Sequence, residues 1–257
     1  MIHLSTDITY GNRDYATSRI PYGIPLSAQT ESGFDMTLLR NKIKKRYFWP
    51  CLLLMILSQI GAYDITRLFL ADRHLYDLAT PLDACIPFAP AWVTVYFLAF
   101  VFWAINGTLI LNESCEHAFG VTVSYLIAMF ISAIIFLVFP STIVRPEPTG
   151  NGFFENWVRL LYRIDAPNNL CPSIHVVASY FCWRGTWGCQ RISKWYRDVS
   201  LGLLILVCMS ILLVKQHAVV DIPAAVITSE LSLQIGRRLT PLISEIGSVR
   251  KRLYSCS

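Results

Sequence analysis

The sequence predicts an all-α integral membrane protein with six transmembrane helices and both termini on the cytoplasmic side. Three observations predict this. Of the 257 residues, 54% are hydrophobic and 15% charged, well below the roughly 25% charged of soluble domains. The apolar residues come in long blocks, at about 48–68, 91–111, 119–139, 173–190, 199–214 and 217–236. A spanning helix needs roughly 20 mostly apolar residues. The basic residues cluster beside alternate blocks, which fixes an orientation. The fourth and sixth blocks are the least apolar, and both begin with a histidine motif.

Three regions follow in order: a tail with a basic segment (1–46), a six-helix membrane domain (47–236) and a basic cytoplasmic tail (237–257). Residues 1–33 are polar and rich in Ser, Thr, Tyr, Gly and Pro, and read as a flexible tail. No early hydrophobic region marks a cleavable signal peptide. Between Phe34 and Phe48, apolar residues interleave with Arg40, Lys42, Lys44, Lys45 and Arg46. That pattern suits an amphipathic helix on an anionic leaflet.

The first span carries Pro50 near its start. A loop of about 69–90 with Asp72, Arg73, Asp77 and Asp83 follows. The second and third spans join through a short connection with Glu113, Glu116 and His117, where His117 reads as a solvated loop residue. Asn106-Gly107-Thr108 has the form of a glycosylation sequon but lies inside a span. Residues 140–172 form the longest connection, with a turn at Gly150–Gly152 and an interfacial helix expected over Trp157–Tyr162. Long ordered connections usually carry function.

Basic residues precede span one, lie between spans four and five (Arg184, Arg191, Lys194, Arg197) and fill the tail (Arg237, Arg238, Arg250, Lys251, Arg252). Six spans put these segments on one, cytoplasmic side. Arg67 and Arg73 on the outside run against the trend. The net charge of +5 is accounted for by these juxtamembrane clusters, and no nucleic-acid-binding motif is present. The eight cysteines show no CxxC pair and no metal-ligand spacing. Most read as small apolar residues within spans, and Cys85 with Cys171 could pair on the outer side.

Val214-Lys215-Gln216-His217-Ala218-Val219-Val220-Asp221 sets three ionisable groups at the edge of a span, where such groups are costly. If this stretch is helical, His217 and Asp221 share one face. Two readings are open: a buried pair that staples two helices, or an imidazole held in one tautomer by a carboxylate. Pro172-Ser173-Ile174-His175 places proline where a helix begins, with free N–H groups and a positive end facing the loop. That is an anion site. Ser173 adds a hydroxyl, Arg145 a planar fork and Lys215 a point charge, which together make a phosphate cradle without metal or cofactor. One histidine, oriented by Asp221, can attack phosphorus. The other can protonate the leaving oxygen. The six-span topology brings all six residues to the extracytoplasmic helix ends.

At Arg145-Pro146, Pro172-Ser173-Ile174-His175 and His217-Ala-Val-Val-Asp221, the chain resembles the type 2 phosphatidic acid phosphatase superfamily of membrane lipid phosphatases and phosphotransferases. The three motifs occur in that family's order, and the resemblance covers about 47–236. It implies a six-helix fold with an active site at the extracytoplasmic helix ends. It implies His217 as the nucleophile forming a phosphohistidine, Asp221 as its partner and His175 as general acid. Arg145, Ser173 and Lys215 would bind phosphate. Two positions depart: Val138 stands where the family's first motif begins with lysine, and Ile211 stands where an arginine follows serine in its third. Lys215 is the candidate replacement. A Lys-Gln-His third motif resembles the branch related to inositol-phosphorylceramide and sphingomyelin synthases and many bacterial phosphatases.

The expected protein is therefore a multi-pass lipid phosphate or pyrophosphate phosphatase of the cell membrane, or of a secretory-compartment membrane in a eukaryote. Its partners are the bilayer and a lipid phosphate substrate. Two alternatives stand beside it: a lipid phosphotransferase using an alcohol acceptor, and a non-catalytic membrane scaffold or transporter.

Overall fold

The computed structural model describes residues 36–70 and 73–254. Helix α1 (Met36–Ile60) continues through a π-helical turn (Gly61–Ile65) into α2 (Thr66–Leu68). Next come β1 (Tyr76–Asp77), α3 (Pro81–Cys85), a 3₁₀ turn (Pro90–Trp92) and α4 (Val93–Leu111). Then follow α5 (Cys115–Val138), β2 (Ser141–Thr142), α6 (Phe153–Ile164), α7 (Ile174–Arg184), α8 (Lys194–Leu213) and α9 (Asp221–Tyr254). The two short strands pair in parallel, Tyr76 with Ser141 and Asp77 with Thr142, and pin the loop before α3 to the one after α5. Residues 1–35, which hold all of the expected flexible tail, lie outside the described residues. So do the side chains of the expected amphipathic segment as far as Lys45.

The protein is all-α, as the sequence predicts. Four stretches are long and apolar enough to cross a membrane: Arg46–Leu68, Pro90–Leu111, Cys115–Val138 and Lys194–Leu213. These are the first, second, third and fifth expected blocks. Helix starts carry the polar caps that free N–H groups require. Ser114 Oγ accepts from His117 N at 3.1 Å and Ser193 Oγ from Tyr196 N at 3.2 Å.

The fourth block forms a helix much shorter than expected. Helix α7 has 11 residues, about 16 Å at 1.5 Å per residue. A side chain at Gly185 would meet Phe181 O at 2.6 Å and Ile110 Cδ1 at 2.7 Å, and Gly188 has φ +89°. The close approach at Gly185 leaves no room for a side chain there, and the left-handed turn at Gly188 carries the chain away from the helix. Eight of its residues, Ile174 and Val176 through Cys182, are buried, so α7 is the bundle's central helix, packed by α4, α8 and α9. His117 is not a solvated loop residue: it sits in the first turn of α5, with Nε2 2.8 Å from Gly185 O. The chain leaving α7 folds back onto it. Cys85 and Cys171 are free thiols.

The sixth block and the expected tail form one helix, α9, through Tyr254. Its polarity is turned inward. Ser229 and Ser232 are fully buried, and their hydroxyls donate to Ala225 O and Thr228 O at 2.7 Å each. Bonding back to the preceding turn satisfies them inside the helix. Glu230 binds α7 from the side, accepting from Arg184 Nε at 2.6 Å and Tyr180 OH at 2.5 Å. Helix α9 packs most closely on α5. At their crossing, a Cβ on Gly236 would strike the Ser124 side chain, with Ser124 Cα 3.0 Å away. Small residues allow this approach. Gly236→Leu is therefore expected to cost about 1–3 kcal/mol by overpacking. A drop in thermal midpoint of the detergent-solubilised protein measures it, with Gly202→Leu, where a Cβ meets nothing within 4 Å, as the tolerated control.

Candidate active site

Helix α8 ends at Leu213, and the chain reverses through Lys215, a non-glycine residue at φ +54°. A side chain in that region signals a conformation imposed by its surroundings. Gln216 N and His217 N both donate to Ile211 O, at 2.8 and 3.2 Å. Helix α9 begins only at Asp221. His217 and Asp221 are therefore joined by a tight turn and not by one helical face. The Asp221 carboxylate folds back so that Oδ2 accepts from Ala218 N and from His217 Nδ1, at 3.0 Å each. Asp221 is fully buried and His217 is 7% exposed. A carboxylate only accepts, so Nδ1 carries the proton and Nε2 presents its lone pair. Beside the pair, burial and then the Asp221 charge push the Cys171 thiol up to about 12, which keeps it a neutral thiol.

His175 is the second residue of α7, behind a cis Cys171–Pro172 bond and the Ser173 cap. Its ring lies 5.7 Å from that of His217, centroid to centroid. Tyr96 and Trp103 wall it at 4.6 and 5.6 Å. Both histidines line a cavity of about 250 Å³, together with Arg145, Asp165, Gln216 and Tyr63. The helices and the long loop thus bring three expected site residues, Arg145, His175 and His217, to one cavity, with Asp221 directly behind His217.

Arg145 donates through Nη1 to Asp165 O at 2.5 Å, and its guanidinium lies 4.9 Å from the Tyr162 ring. Its Nε is buried without a partner among the described residues, which leaves a charged donor to spare.

Ser173 and Lys215 are placed differently from expectation, and neither lines the cavity. Ser173 is fully buried, and its hydroxyl is the cap of α7, accepting from Val176 N at 3.4 Å. Helix α7 therefore starts at Ile174, two residues after Pro172. Lys215 points away, donating through Nζ to Asp83 O at 2.7 Å and Ile86 O at 2.6 Å. Asp83 completes the clamp. Its Oδ1 accepts from Val219 N at 2.8 Å and its Oδ2 from Thr80 Oγ1 at 2.6 Å. Burial acts to raise the Asp83 carboxyl, but the Thr80 and Val219 bonds outweigh it and keep the group below its ordinary value. The α3 loop thus holds the His217 turn from behind. Lys215→Met should cost roughly 1–3 kcal/mol of stability for the carbonyls left unpaired, read as a lower thermal midpoint. An unchanged midpoint would mean that the ammonium does not hold the turn.

Two cavity residues were given no role by the motifs. Asp165 accepts from Tyr63 OH and, at 2.8 Å, from Tyr96 OH. Burial acts to raise its carboxyl, but the charge of His175 and the two hydroxyls outweigh this and hold it below the usual range. Its tyrosine partners lie within apolar stretches, so no local pattern links them to it. Gln216 is 1% exposed, and its side-chain oxygen and nitrogen both lack partners among the described residues. A lone amide between lysine and histidine at a span end was a readable signal. Buried polar groups ordinarily find partners, so an amide facing this cavity without one is suited to bind what enters it.

No protein-family model matches the chain, and neither a curated protein nor a solved structure matches it.

Proposed function

We propose that the chain is a phosphoryl-transfer enzyme of the membrane. Within that class, it acts as a lipid phosphate or pyrophosphate phosphatase at the extracytoplasmic face. The observation that carries this reading is the pairing of His175 with His217, rings 5.7 Å apart across one cavity, with Asp221 fixing the tautomer of His217. His217 Nε2 attacks phosphorus and the bond to the lipid oxygen breaks. Protonated His175 delivers its proton to that oxygen. His175, now neutral, takes a proton from water, which attacks phosphorus and breaks the P–N bond, releasing inorganic phosphate. Arg145 and the Gln216 amide bind equatorial oxygens, where the transition state carries its charge.

In this reading α9 crosses beside the four apolar helices, and α7, at about 16 Å too short to cross by itself, makes the fourth passage together with the segments that flank it, giving six spans with both termini cytoplasmic. The buried surface of α7 and the inward polarity of α9 support this, because neither needs a continuous apolar face toward lipid. The basic segments then share one side, as topology favours.

The test is phosphate release by the purified protein in detergent. The panel is phosphatidic acid, phosphatidylglycerol phosphate, polyprenyl pyrophosphate and sphingoid phosphates. Release from one class is expected, and it should persist in excess chelator, because protein side chains supply the positive charge. Loss in chelator, restored by a divalent ion, would contradict the proposed site. Release only when diacylglycerol or ceramide is added as acceptor would make the enzyme a transferase using the same first step.

A further inference from the structure

A second cavity, of about 450 Å³, adjoins the first. Gln59, Ile60, Phe100 and Trp103 line both. From this shared rim it descends along α4 to Leu111, about 16 Å at 1.5 Å per residue. Its walls come from α1, α4, α5 and α7 and include Met55, Ile110, Ala178 and Phe181. Its floor is Leu111, packed with Cys51 and Ala118. The main polar groups on the wall satisfy each other: Tyr125 OH donates to Gln59 Oε1 at 2.6 Å. On one side, Ile56 of α1 and Ala104 and Thr108 of α4 stand exposed on the bundle surface, so the cavity is open between these two helices.

We propose that this chamber holds one hydrocarbon tail of the lipid phosphate, admitted sideways from the bilayer between α1 and α4. This rests on the phosphatase reading and adds to it that the substrate tail lies inside the bundle and not along its outer faces. Three observations select this occupant. The chamber is apolar and ends blind, which suits a chain terminus. It opens at its top into the cavity holding both histidines, so a phosphate there continues directly into a tail below. Its depth of about 16 Å takes an extended chain of about twelve methylenes in single file. Two tails would not fit. The substrate class is a lipid with one buried chain of about that length: a monoalkyl, sphingoid or short prenyl phosphate, or a two-chain lipid whose second chain stays in the bilayer.

The experiment is a series of monoalkyl phosphates of increasing length with the full chain in detergent. Each added methylene should raise kcat/KM by up to about fourfold, until the chamber is full near twelve carbons. A Cβ at Gly107, on the chamber wall, meets nothing within 4 Å. Gly107→Phe fills that space and should shorten the plateau by several carbons. Gly202→Phe on α8, equally open at its Cβ but away from the chamber, should leave the profile as in the wild type. A plateau unmoved by Gly107→Phe overturns the proposal. A long alkyl phosphate carrying a terminal diazirine reads occupancy without turnover. Photolabelling at Leu52, Leu111 or Cys182 supports the chamber even if the protein hydrolyses nothing, in which case only the phosphatase reading fails. Labelling confined to outward residues such as Phe130 and Ile134 rejects the chamber whatever the activity.

Discussion

His217→Ala is expected to abolish phosphate release while leaving a folded protein. The loss should be on the order of 10⁶-fold, the size seen when the nucleophile of a covalent mechanism is removed. The reason is geometric. Nδ1 is engaged by Asp221 at 3.0 Å, so Nε2 is the nitrogen left to reach phosphorus, and among the described residues His217 is the imidazole hydrogen-bonded to a carboxylate. The fold should survive, because the imidazole makes one hydrogen bond and borders a cavity. Leaving Asp221 with one partner fewer costs about 1–3 kcal/mol. The measurement is twofold: phosphate release, and an acid-labile phosphoprotein trapped in rapid quench. Wild type should show the labile phosphoprotein and the variant should not. Wild-type-like release by the variant would sink the mechanism, and unchanged biological function in cells would favour a scaffold.

The second large effect is expected for Asp221→Asn, on the order of 10⁴-fold in kcat, the magnitude for an orienting carboxylate turned to amide. Oδ2 of Asp221 accepts two bonds at once, from Ala218 N and His217 Nδ1. An amide oxygen can take both only if its NH₂ is left buried without a partner. If the amide flips, its N–H meets Nδ1 and drives the imidazole to the other tautomer, with its proton on Nε2, where it blocks attack. KM should change little, since Asp221 is fully buried behind the histidine. A variant with wild-type kcat and a lowered thermal midpoint would reduce the pair to a structural staple.

The spacing of His217 and Asp221 pointed to a contact between them, and the contact exists, but by a different route. Helical geometry would have placed them a turn apart on one face. Instead the left-handed Lys215 closes a turn, and the carboxylate reaches back across it. A four-residue interval fits both geometries, so the interval alone could not choose. Lys215 shows the same limit. Beside a histidine in a motif it reads as a phosphate ligand, yet its side chain donates to carbonyls of the α3 loop. Side-chain direction depends on the φ of one residue, and that is set by what packs around it. Asp165 was unreadable for the opposite reason. Its partners Tyr63 and Tyr96 come from distant helices, and no periodicity connects them.

The amino-acid order by itself determined the all-α class and the apolar blocks, four of which form long apolar helices, and it offered Arg145, His175, His217 and Asp221 as candidates for one site. These follow from local quantities: apolar run length, caps and residue chemistry. Tertiary structure alone decided that α7 stops after 11 residues and that Ile110 of α4 packs against Gly185 at its end. It decided that α9 buries its serines and continues through the expected tail. It also chose which cations face the histidines and joined the apolar chamber to their cavity. Those outcomes depend on contacts between segments far apart in the chain, whose energies no single stretch of sequence contains.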